Sequence, residues 1–183
     1  GKMVNALTWM GKFLDRLPMA EAPECTDGRE GFYHPTDVKG DAAHCHLSLI
    51  LRDFDSDELA VRGERLRAMA EGLVAEEPHL KVEVEISEQY RNMADELARH
   101  PEVRRNLERA IEAAGLTPRV EAVRGGTDGS QLTAKGMPTP NLFAGGMNFH
   151  GPKEWVSERG MALAVCTLLN LVQVYAEQPE TVA

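Results

Sequence analysis

The stretch His46-Leu47-Ser48-Leu49-Ile50-Leu51-Arg52 decides the fold of the first half of this chain. Its leucines alternate with mostly polar residues, which is the pattern of a β-strand that buries one face. Together with Gly31-Phe32-Tyr33-His34, the segment 43–54 flanks Val38-Lys39-Gly40-Asp41. The sequence therefore predicts a β-hairpin with Lys-Gly-Asp near its tip.

Helices and one further strand are predicted around this hairpin. Apolar residues at three- and four-residue steps before Pro18 predict an amphipathic first helix. Asp55 and Glu58 have the spacing of a capping box and begin a second helix, and residues 81–88 alternate as a strand does. Helix, hairpin, helix and strand is the order of a ferredoxin-like α+β unit that lacks its first strand.

The second half of the chain has a different character. Pro101 begins a predicted helix that Gly115 ends. Residues 119–123 and 141–144 are predicted as short strands, each followed by a glycine-rich turn. A last helix, apolar nearly all round over 161–175, is predicted to be buried against a sheet. This order is typical of part of an α/β layered domain with functional loops at its strand ends.

Composition excludes several classes of function. Of 183 residues, 20 are basic and 29 acidic, so the formal net charge is −9, which argues against nucleic-acid binding. No apolar run approaches the roughly 20 residues that a membrane span needs, so we expect no membrane span. The cysteines at 25, 45 and 166 cannot all pair and form no CxxC motif, which favours reduced thiols in a cytoplasmic protein.

His150 is the strongest candidate for chemistry. It lies in the turn Gly145-Gly146-Met147-Asn148-Phe149-His150-Gly151, after a predicted strand. Little side-chain bulk surrounds the imidazole there, and a neutral imidazole is a common metal ligand. A turn histidine hydrogen-bonded to the backbone is the structural alternative.

Two arginines are candidates for binding a carboxylate. Arg124 begins the turn Arg124-Gly125-Gly126-Thr127-Asp128-Gly129, in which glycines permit tight folding and the guanidinium offers a bidentate donor. The turn is not a phosphate loop, because it lacks the terminal Gly-Lys-Ser/Thr. Arg52 ends the polar face of the hairpin strand, and a surface ion pair with Asp53 or Asp55 is its structural alternative.

Two weaker patterns involve a histidine pair and a glutamate pair. His44 and His46 are predicted on one strand face, and His-x-His can hold zinc, but no third ligand is evident nearby. A metal-sensing role through these histidines is therefore the third hypothesis. Glu76 and Glu77 precede Pro78 at the end of the second helix and are predicted to be a solvated helix terminus.

As an ordered set, these stretches resemble the peptidase T family, the tripeptide aminopeptidases among the cocatalytic-zinc exopeptidases. The matching motifs occur in the family's order, with nearly its spacing, and cover essentially all of the chain. They are Met3-Val4-Asn5-Ala6-Leu7, Glu30-Gly31-Phe32-Tyr33-His34, Leu51-Arg52-Asp53-Phe54-Asp55, Tyr90-Arg91-Asn92-Met93, 124–129, Pro140-Asn141-Leu142-Phe143 and 145–151.

The resemblance implies two parts. Residues 1–89 correspond to the family's lid, an insert domain that here lacks its first strand. Residues 90–183 correspond to the C-terminal portion of the α/β catalytic domain. The missing strand would precede residue 1, and the chain begins Gly1-Lys2-Met3 without an initiating methionine, so we expect a truncated or processed chain.

The resemblance also implies the chemistry. In the family, two zinc ions activate a water that attacks the peptide carbonyl, with a glutamate as general base. His150 matches a zinc ligand, and Arg52 matches a lid arginine that approaches the substrate carboxylate. Arg124 matches a loop arginine that is a candidate for anchoring the substrate, and Asn5 matches a lid asparagine. The other four ligands and the base have no counterpart here. We therefore expect no catalytic residue in this chain, no complete zinc site, and no tripeptidase activity from the chain alone.

A second hypothesis belongs to another class of function. A sheet that lacks one strand has unpaired backbone edges, which favour pairing with a second copy of the chain. The chain could then be a non-enzymatic interaction or strand-exchange module that forms a homodimer through the exposed sheet edge.

Overall fold

Residues 3–178 are described by the computed structural model, in which the chain divides between residues 88 and 89 into two units. The sequence places this division between 89 and 90. Residues 1, 2 and 179–183, which the predicted bounds include, lie outside the described residues.

The first unit contains two helices and one hairpin, joined by short 3-10 turns. In chain order the elements are α1 (Ala6–Arg16), the turns Met19–Glu21 and Pro23–Cys25, β1 (Phe32–Gly40), β2 (Cys45–Arg52) and α2 (Ser56–Glu76).

The predicted hairpin is confirmed. Strands β1 and β2 pair antiparallel, with Phe32 opposite Arg52 at one end and Gly40 opposite Cys45 at the other. The side chain of Asp41 closes the turn by accepting hydrogen bonds from the backbone N–H groups of Ala43 and His44, at 2.8 and 3.0 Å. His44 therefore belongs to the turn and not to the strand face on which it was predicted beside His46.

Both helices pack on the leucine face of the hairpin. The predicted alternation of β2 is confirmed, because its leucines at 49 and 51 lie against the buried core. The core residues are Leu17, Tyr33 and Leu66, with Phe13, Leu14, Leu49, Leu51 and Met69 packed against them. Since each of the three elements presents one apolar stripe to this cluster, burial of apolar surface holds the unit together.

Asp55 caps α2 as predicted. Its carboxylate Oδ1 accepts from the backbone N–H groups of Asp57 and Glu58, at 2.8 and 3.3 Å. In a complete capping box, the side chain of Glu58 would accept the backbone N–H of Asp55. Here that N–H donates instead to the side chain of Asp53, at 3.0 Å. The turn from β2 into α2 is thus built from two successive aspartate bonds.

The predicted strand at 81–88 does not form. These residues have no regular secondary structure, and within the described residues 3–88 the sheet consists of β1 and β2. The segment lies against α2, where Arg67 Nη1 donates to the carbonyl of Val84 at 3.1 Å and Ile86 approaches Gly63. The prediction was wrong because alternating residues become a strand only when a neighbouring strand supplies backbone partners.

The second unit is mainly helical. Its elements are α3 (Ala94–Arg99), α4 (Pro101–Ala113), α5 (Asp128–Ala134), β3 (Gly146–Met147), β4 (Trp155–Val156) and α6 (Glu158–Ala176). Helix α4 begins at Pro101 as predicted, and Gly115 follows it with φ of +78°. Helices α3 and α5 were not predicted from the sequence. The predicted strands at 119–123 and 141–144 are absent, and the two-residue strands β3 and β4 pair with each other.

Helix α6 packs against α4 and not against a sheet. Ala110 and Thr167 are fully buried, and Asn170 Nδ2 donates to the carbonyl of Ala110 at 3.3 Å. Other apolar side chains of α6 are exposed, with Leu169 at 62% and Val172 at 68%. The predicted burial against a sheet was wrong within the described residues, since the strands expected to form that sheet are not there.

Helix α6 also changes the expectation about membrane spans. Its 19 residues are long and apolar enough to cross a bilayer by length and composition, and only 11% of the apolar window is buried. The sequence led us to expect no such run. One helix of this kind is weak evidence, because core helices of globular proteins have the same length and composition.

Candidate functional site

The four residues that the sequence singled out fall two in each unit. Asn5 and Arg52 belong to the first unit, and Arg124 and His150 to the second. They occupy a helix N-cap, a strand end and two loops.

Asn5 serves as the N-cap of α1. Its carboxamide Oδ1 accepts from the backbone N–H of Leu7 at 3.0 Å and of Thr8 at 3.4 Å. The N–H of Ala6 donates to the carbonyl of Ala42 at 2.9 Å, which joins the start of α1 to the hairpin turn. Arg52 is at the other end of the eight-residue strand β2, about 23 Å away along the strand. The structure does not bring Asn5 and Arg52 together.

Arg52 ends β2 above an aromatic ring. Its guanidinium carbon is 6.0 Å from the ring centroid of Phe32, its partner in the β-ladder. This geometry suits a cation–π interaction, which contributes about 0.5–1 kcal/mol at a partly exposed site. The ring therefore supports the arginine from one side. Asp53, one of the two carboxylates considered as an ion-pair partner for Arg52, is paired with Arg62.

Arg62 of α2 is the centre of an ion cluster that the sequence analysis missed. Its Nε donates to Asp53 Oδ2 at 2.8 Å, and its Nη1 donates to Glu21. The side chains of Arg62 and Asp53 are only 11% and 10% exposed. The Arg62 guanidinium also lies 5.2 Å from the ring centroid of Tyr33, a core residue. This is a nearly buried arginine between two carboxylates.

The electrostatics of the cluster favour the charged state of Arg62. Burial by itself lowers the pKa of a guanidinium, but the hydrogen bonds to Asp53 and Glu21 outweigh burial and raise the pKa of Arg62 above its usual value. The sequence contains a pattern that indicates a buried position for Arg62. Arg62 falls on the same helical stripe as Leu59, Leu66 and Met69, where a charged residue needs a buried partner.

Gly31 completes the wall around this cluster. A Cβ added there would lie 2.0 Å from Asp53 Oδ2, 2.6 Å from Arg62 Nε and 2.7 Å from the carbonyl oxygen of Arg52. The position therefore accepts only glycine in this arrangement. Within the matched motif 30–34, the glycine is explained by the close approach of Asp53 and Arg62.

The loop that carries Arg124 is held by aromatic packing and by α5. A Cβ on Gly126 would lie 2.2 Å from Cε1 of Tyr90, so the tyrosine ring rests directly on the loop backbone. Gln131 Nε2 of α5 donates to the carbonyl of Gln89 at 2.8 Å. The glycine turn runs straight into α5, with Thr127 as its N-cap. Tyr90, a residue of the motif 90–93, thus contacts the loop that is predicted to bind substrate.

His150 is at the tip of the ribbon formed by β3 and β4. It is exposed, with φ of +62°, and Asn148 has φ of +56°, both in a region that non-glycine residues seldom adopt. The loop is held by bonds from Asn148 Nδ2 to the carbonyl of Lys153 at 3.2 Å and from the N–H of His150 to Glu154 Oε2 at 3.3 Å. Backbone strain of this kind is common at functional sites.

The donor set of the described residues does not fit a two-zinc centre. No group of three or more His, Cys, Asp or Glu side chains in residues 3–178 is placed to hold a metal. Glu154 is near His150, but its carboxylate accepts the histidine's backbone N–H. His46 lies 3.4 Å from Ser48 Oγ, and His44 is in the turn, so these histidines do not share a strand face.

Comparison with known proteins identifies the family. The model of peptidase family M20/M25/M40 matches residues 18–174. The chain is 41% identical over 177 residues to a protein named Peptidase T from Shouchella clausii, covering 97% of this chain and 43% of the relative. It is 40% identical over 177 residues to Peptidase T of Bacillus velezensis, with the same coverage. The chain thus spans less than half the length of these relatives.

Two solved structures share the fold. The aminopeptidase PepT from Bacillus cereus is 20% identical, with a TM-score of 0.64, over 95% of this chain and 46% of that one. A tripeptidase from Staphylococcus aureus is 18% identical, with a TM-score of 0.70, over 96% and 46%. At these identities the likeness establishes an α/β peptidase fold and not a function. Because the family model covers most of the sequence, the chain belongs to peptidase family M20/M25/M40.

Proposed function

We propose that this chain is part of a zinc-dependent tripeptide aminopeptidase that releases the N-terminal residue of tripeptides. The observation that carries the proposal is the 41% identity to Peptidase T across 97% of the chain. The ordered motifs of the sequence and the exposed, conformationally restricted His150 support it. The chain covers 43% of that relative, so we assign the activity to a longer polypeptide that contains this chain.

Residues 1–89 act as the lid in this proposal, and residues 90–183 as the C-terminal part of the catalytic domain. The lid is ferredoxin-like and lacks its first strand. Two helices on one face of a hairpin, with 81–88 lying against α2, support this arrangement. An additional strand would give 81–88 the backbone partners that it lacks within residues 3–178.

His150 would be one zinc ligand, and the other ligands would come from sequence outside this chain. A bound zinc pair lowers the pKa of a water and polarises the scissile carbonyl. The contribution of this chain is to present the imidazole on a loop whose conformation is restricted by Asn148 and Glu154. The chain alone is then inactive, because one imidazole cannot hold two metal ions.

Arg52 would bind the carboxylate of the tripeptide, and Arg124 would be a substrate-anchoring residue. Phe32 supports Arg52 from one side, and Tyr90 supports the backbone of the Arg124 loop through Gly126. A guanidinium held in place loses less conformational entropy when it forms a bidentate bond to a carboxylate. Asn5 would bind substrate through its side-chain N–H groups, because its Oδ1 is used to cap α1.

A chimera tests the function. This chain would replace the matching segment of Shouchella clausii Peptidase T, and release of the N-terminal residue from trialanine would be measured with zinc present. We expect turnover by the chimera, none by the chain alone, and none by a folded chimera carrying His150→Ala. Undiminished turnover by the His150→Ala chimera would contradict the role of His150, and turnover by the chain alone would contradict the need for further ligands.

We further propose that the protein is cytoplasmic, with reduced thiols. Cys25, Cys45 and Cys166 are all free in the structure, as a reducing compartment requires. Thiol titration of freshly purified protein should give three reactive groups after unfolding. Fewer than three would indicate a disulfide and argue against that compartment.

The rival proposal is a homodimer formed by strand exchange. It is supported by the two-stranded sheet and by segment 81–88, in which Val82 and Ile86 are 39% and 44% exposed. Light scattering on the purified chain tests it. A concentration-dependent dimer would support strand exchange, and a strict monomer would contradict it.

A further inference from the structure

We propose that the outer face of α6 is an interaction surface that receives a β-sheet from the part of the polypeptide outside this chain. The outer face consists of Met161, Val165, Leu168, Leu169, Val172 and Tyr175. The inference rests on the proposed function only in placing this chain within a longer polypeptide, and it uses none of the proposed zinc or peptide chemistry.

The outer face is apolar and exposed. Its six side chains are between 44% and 68% exposed, and Val172 has the highest value. Since residues three and four positions apart lie on the same side of a helix, the six form one stripe. No charged residue occurs between Gly160 and Ala176, so no charge interrupts the stripe. A continuous exposed apolar surface of this kind marks a site of interaction.

The opposite face of α6 already has a partner, which is α4. Ala110 of α4 and Thr167 of α6 are fully buried where the helices meet. Asn170 Nδ2 donates to the carbonyl of Ala110 at 3.3 Å, and Gln178 Nε2 donates to Asn106 Oδ1 at 2.7 Å. Helix α4 thus covers one side of α6, and the outer face is the side that a further partner can cover.

The packing of α4 on α6 argues against a lipid bilayer as that partner. Helix α4 carries charged side chains at Glu102, Arg104, Arg105, Glu108, Arg109 and Glu112. If α6 crossed a bilayer, these charges would enter the hydrocarbon, or α6 would lose its hydrogen bonds to α4. The helix pair therefore fits a protein partner better than a lipid one.

The small number of strands indicates that the partner is a sheet. The related solved structures have an α/β fold, yet among the described residues of the second unit the strands are β3 and β4, of two residues each. This chain covers 46% of each of those structures, so more than half of each lies outside the match and can supply strands. In a layered α/β fold, helices bury an apolar face against the sheet. The outer face of α6 has the composition for that contact.

The segment 141–144 lies beside the start of α6. It leads into Gly145, and a Cβ added to Gly160 of α6 would be 2.8 Å from the Cα of Gly145. The carbonyl of Gly145 also accepts the N–H of Ser157, the N-cap of α6, at 3.4 Å. Phe143 in this segment is 39% exposed. A sheet on the outer face would therefore have 141–144 close by and could pair with it.

Thiol labelling tests the proposal on the full 183-residue chain and on the Shouchella clausii chimera. Val172→Cys places a thiol on the outer face, and Val61→Cys is the matched control at a position of α2 that is 44% exposed. Labelling by iodoacetamide would be followed at each cysteine by mass spectrometry. We expect position 172 to react at least about tenfold more slowly in the chimera than in the chain, because a covered thiol is inaccessible. Position 61 should react equally fast in both proteins.

A charged substitution provides a second test. In the chain, Val172→Glu should change the melting temperature by no more than about 2 °C, because the carboxylate stays in water. In the chimera it should lower the melting temperature by at least roughly 5 °C, because the carboxylate would be buried without a partner. Val61→Glu is the matched control and should change neither protein by more than about 2 °C.

The outcomes separate this inference from the proposed function. Equal labelling of position 172 in the chain and in the folded chimera would overturn the inference, even if the chimera hydrolyses trialanine. Protection of position 172 in a chimera without turnover would support the inference and contradict the proposed function. A chimera that dimerises or binds phosphatidylcholine vesicles, and loses this property in Val172→Glu, would overturn the inference, because a second copy or lipid would then cover the outer face.

Discussion

The backbone N–H of His150 donates to Glu154 Oε2 at 3.3 Å, across the loop that joins β3 to β4. His150 has a positive φ, so this bond stabilises a conformation that a histidine seldom adopts. The bond ties the backbone at His150 to a carboxylate four residues later. In the role that we propose for His150 as a metal ligand, a restrained loop reduces the entropy lost when the metal binds.

Glu154→Ala should therefore loosen the His150 loop. We expect faster amide hydrogen exchange at His150 and Gly151, because the bond to the carboxylate and the turn bond from Gly151 to Asn148 are weakened together. Glu158→Ala, in the first turn of α6, is the control and should leave these amides unchanged. Equal exchange rates in wild-type and Glu154→Ala protein would show that the carboxylate does not restrain the loop.

Gly31→Ala should destabilise the first unit by at least about 2 kcal/mol, since the added Cβ overlaps Asp53 and Arg62. Urea denaturation followed by circular dichroism measures the change. Gly11→Ala is the matched control within the same unit: nothing lies within 4 Å of its Cβ, and the change should stabilise α1 by up to about 1 kcal/mol. A Gly31→Ala variant as stable as the wild type would contradict the packing described here.

Asn5→Ala should destabilise α1 by about 0.5–2 kcal/mol, because two backbone N–H groups lose their acceptor. Asn5→Asp keeps the acceptor oxygen and should retain the stability, as judged by thermal melting. In the chimera, the same pair separates capping from substrate binding. Loss of turnover in the stable Asn5→Asp protein would indicate that the side-chain N–H groups bind substrate, and full turnover would show that Asn5 acts as a cap only.

Acid should destabilise the first unit partly through Glu76. The hydrogen bond from Arg16, with a smaller contribution from Lys12, lowers the pKa of Glu76 below its usual 4.5. A carboxylate whose pKa is lower in the folded state adds stability above the unfolded pKa and loses it as the pH falls through the folded pKa. We therefore expect the melting temperature to fall below about pH 4.5, and to fall less in Glu76→Gln. Glu71→Gln, on the same helix, should follow the wild-type curve, and identical curves for all three proteins would contradict this role of Glu76.

Local rules predicted the parts of the fold that depend on neighbouring residues. The Asp55 cap, the hairpin around 38–41 and the start of α4 at Pro101 follow from side-chain hydrogen bonding, alternation and the fixed φ of proline. The strand predictions that failed needed a distant partner. Residues 81–88 and 119–123 have the composition of strands, but no strand in the described chain pairs with them.

The candidate site also has features that the sequence predicts and features that depend on contacts between segments. The sequence by itself determined which residues match the family's motifs and are therefore predicted to carry its chemistry, because motif order and residue type depend only on the chain. His150, Arg52 and Arg124 were identified in this way. Only the tertiary structure decided which groups lie around them. Arg62 donates to Asp53, the residue after Arg52, and the ring of Tyr90 packs on Gly126 in the Arg124 loop. Glu154 accepts a hydrogen bond from the backbone N–H of His150. The physical reason is that burial and hydrogen-bond partners arise where separate segments meet, and most of these meetings join residues that periodicity and spacing do not relate.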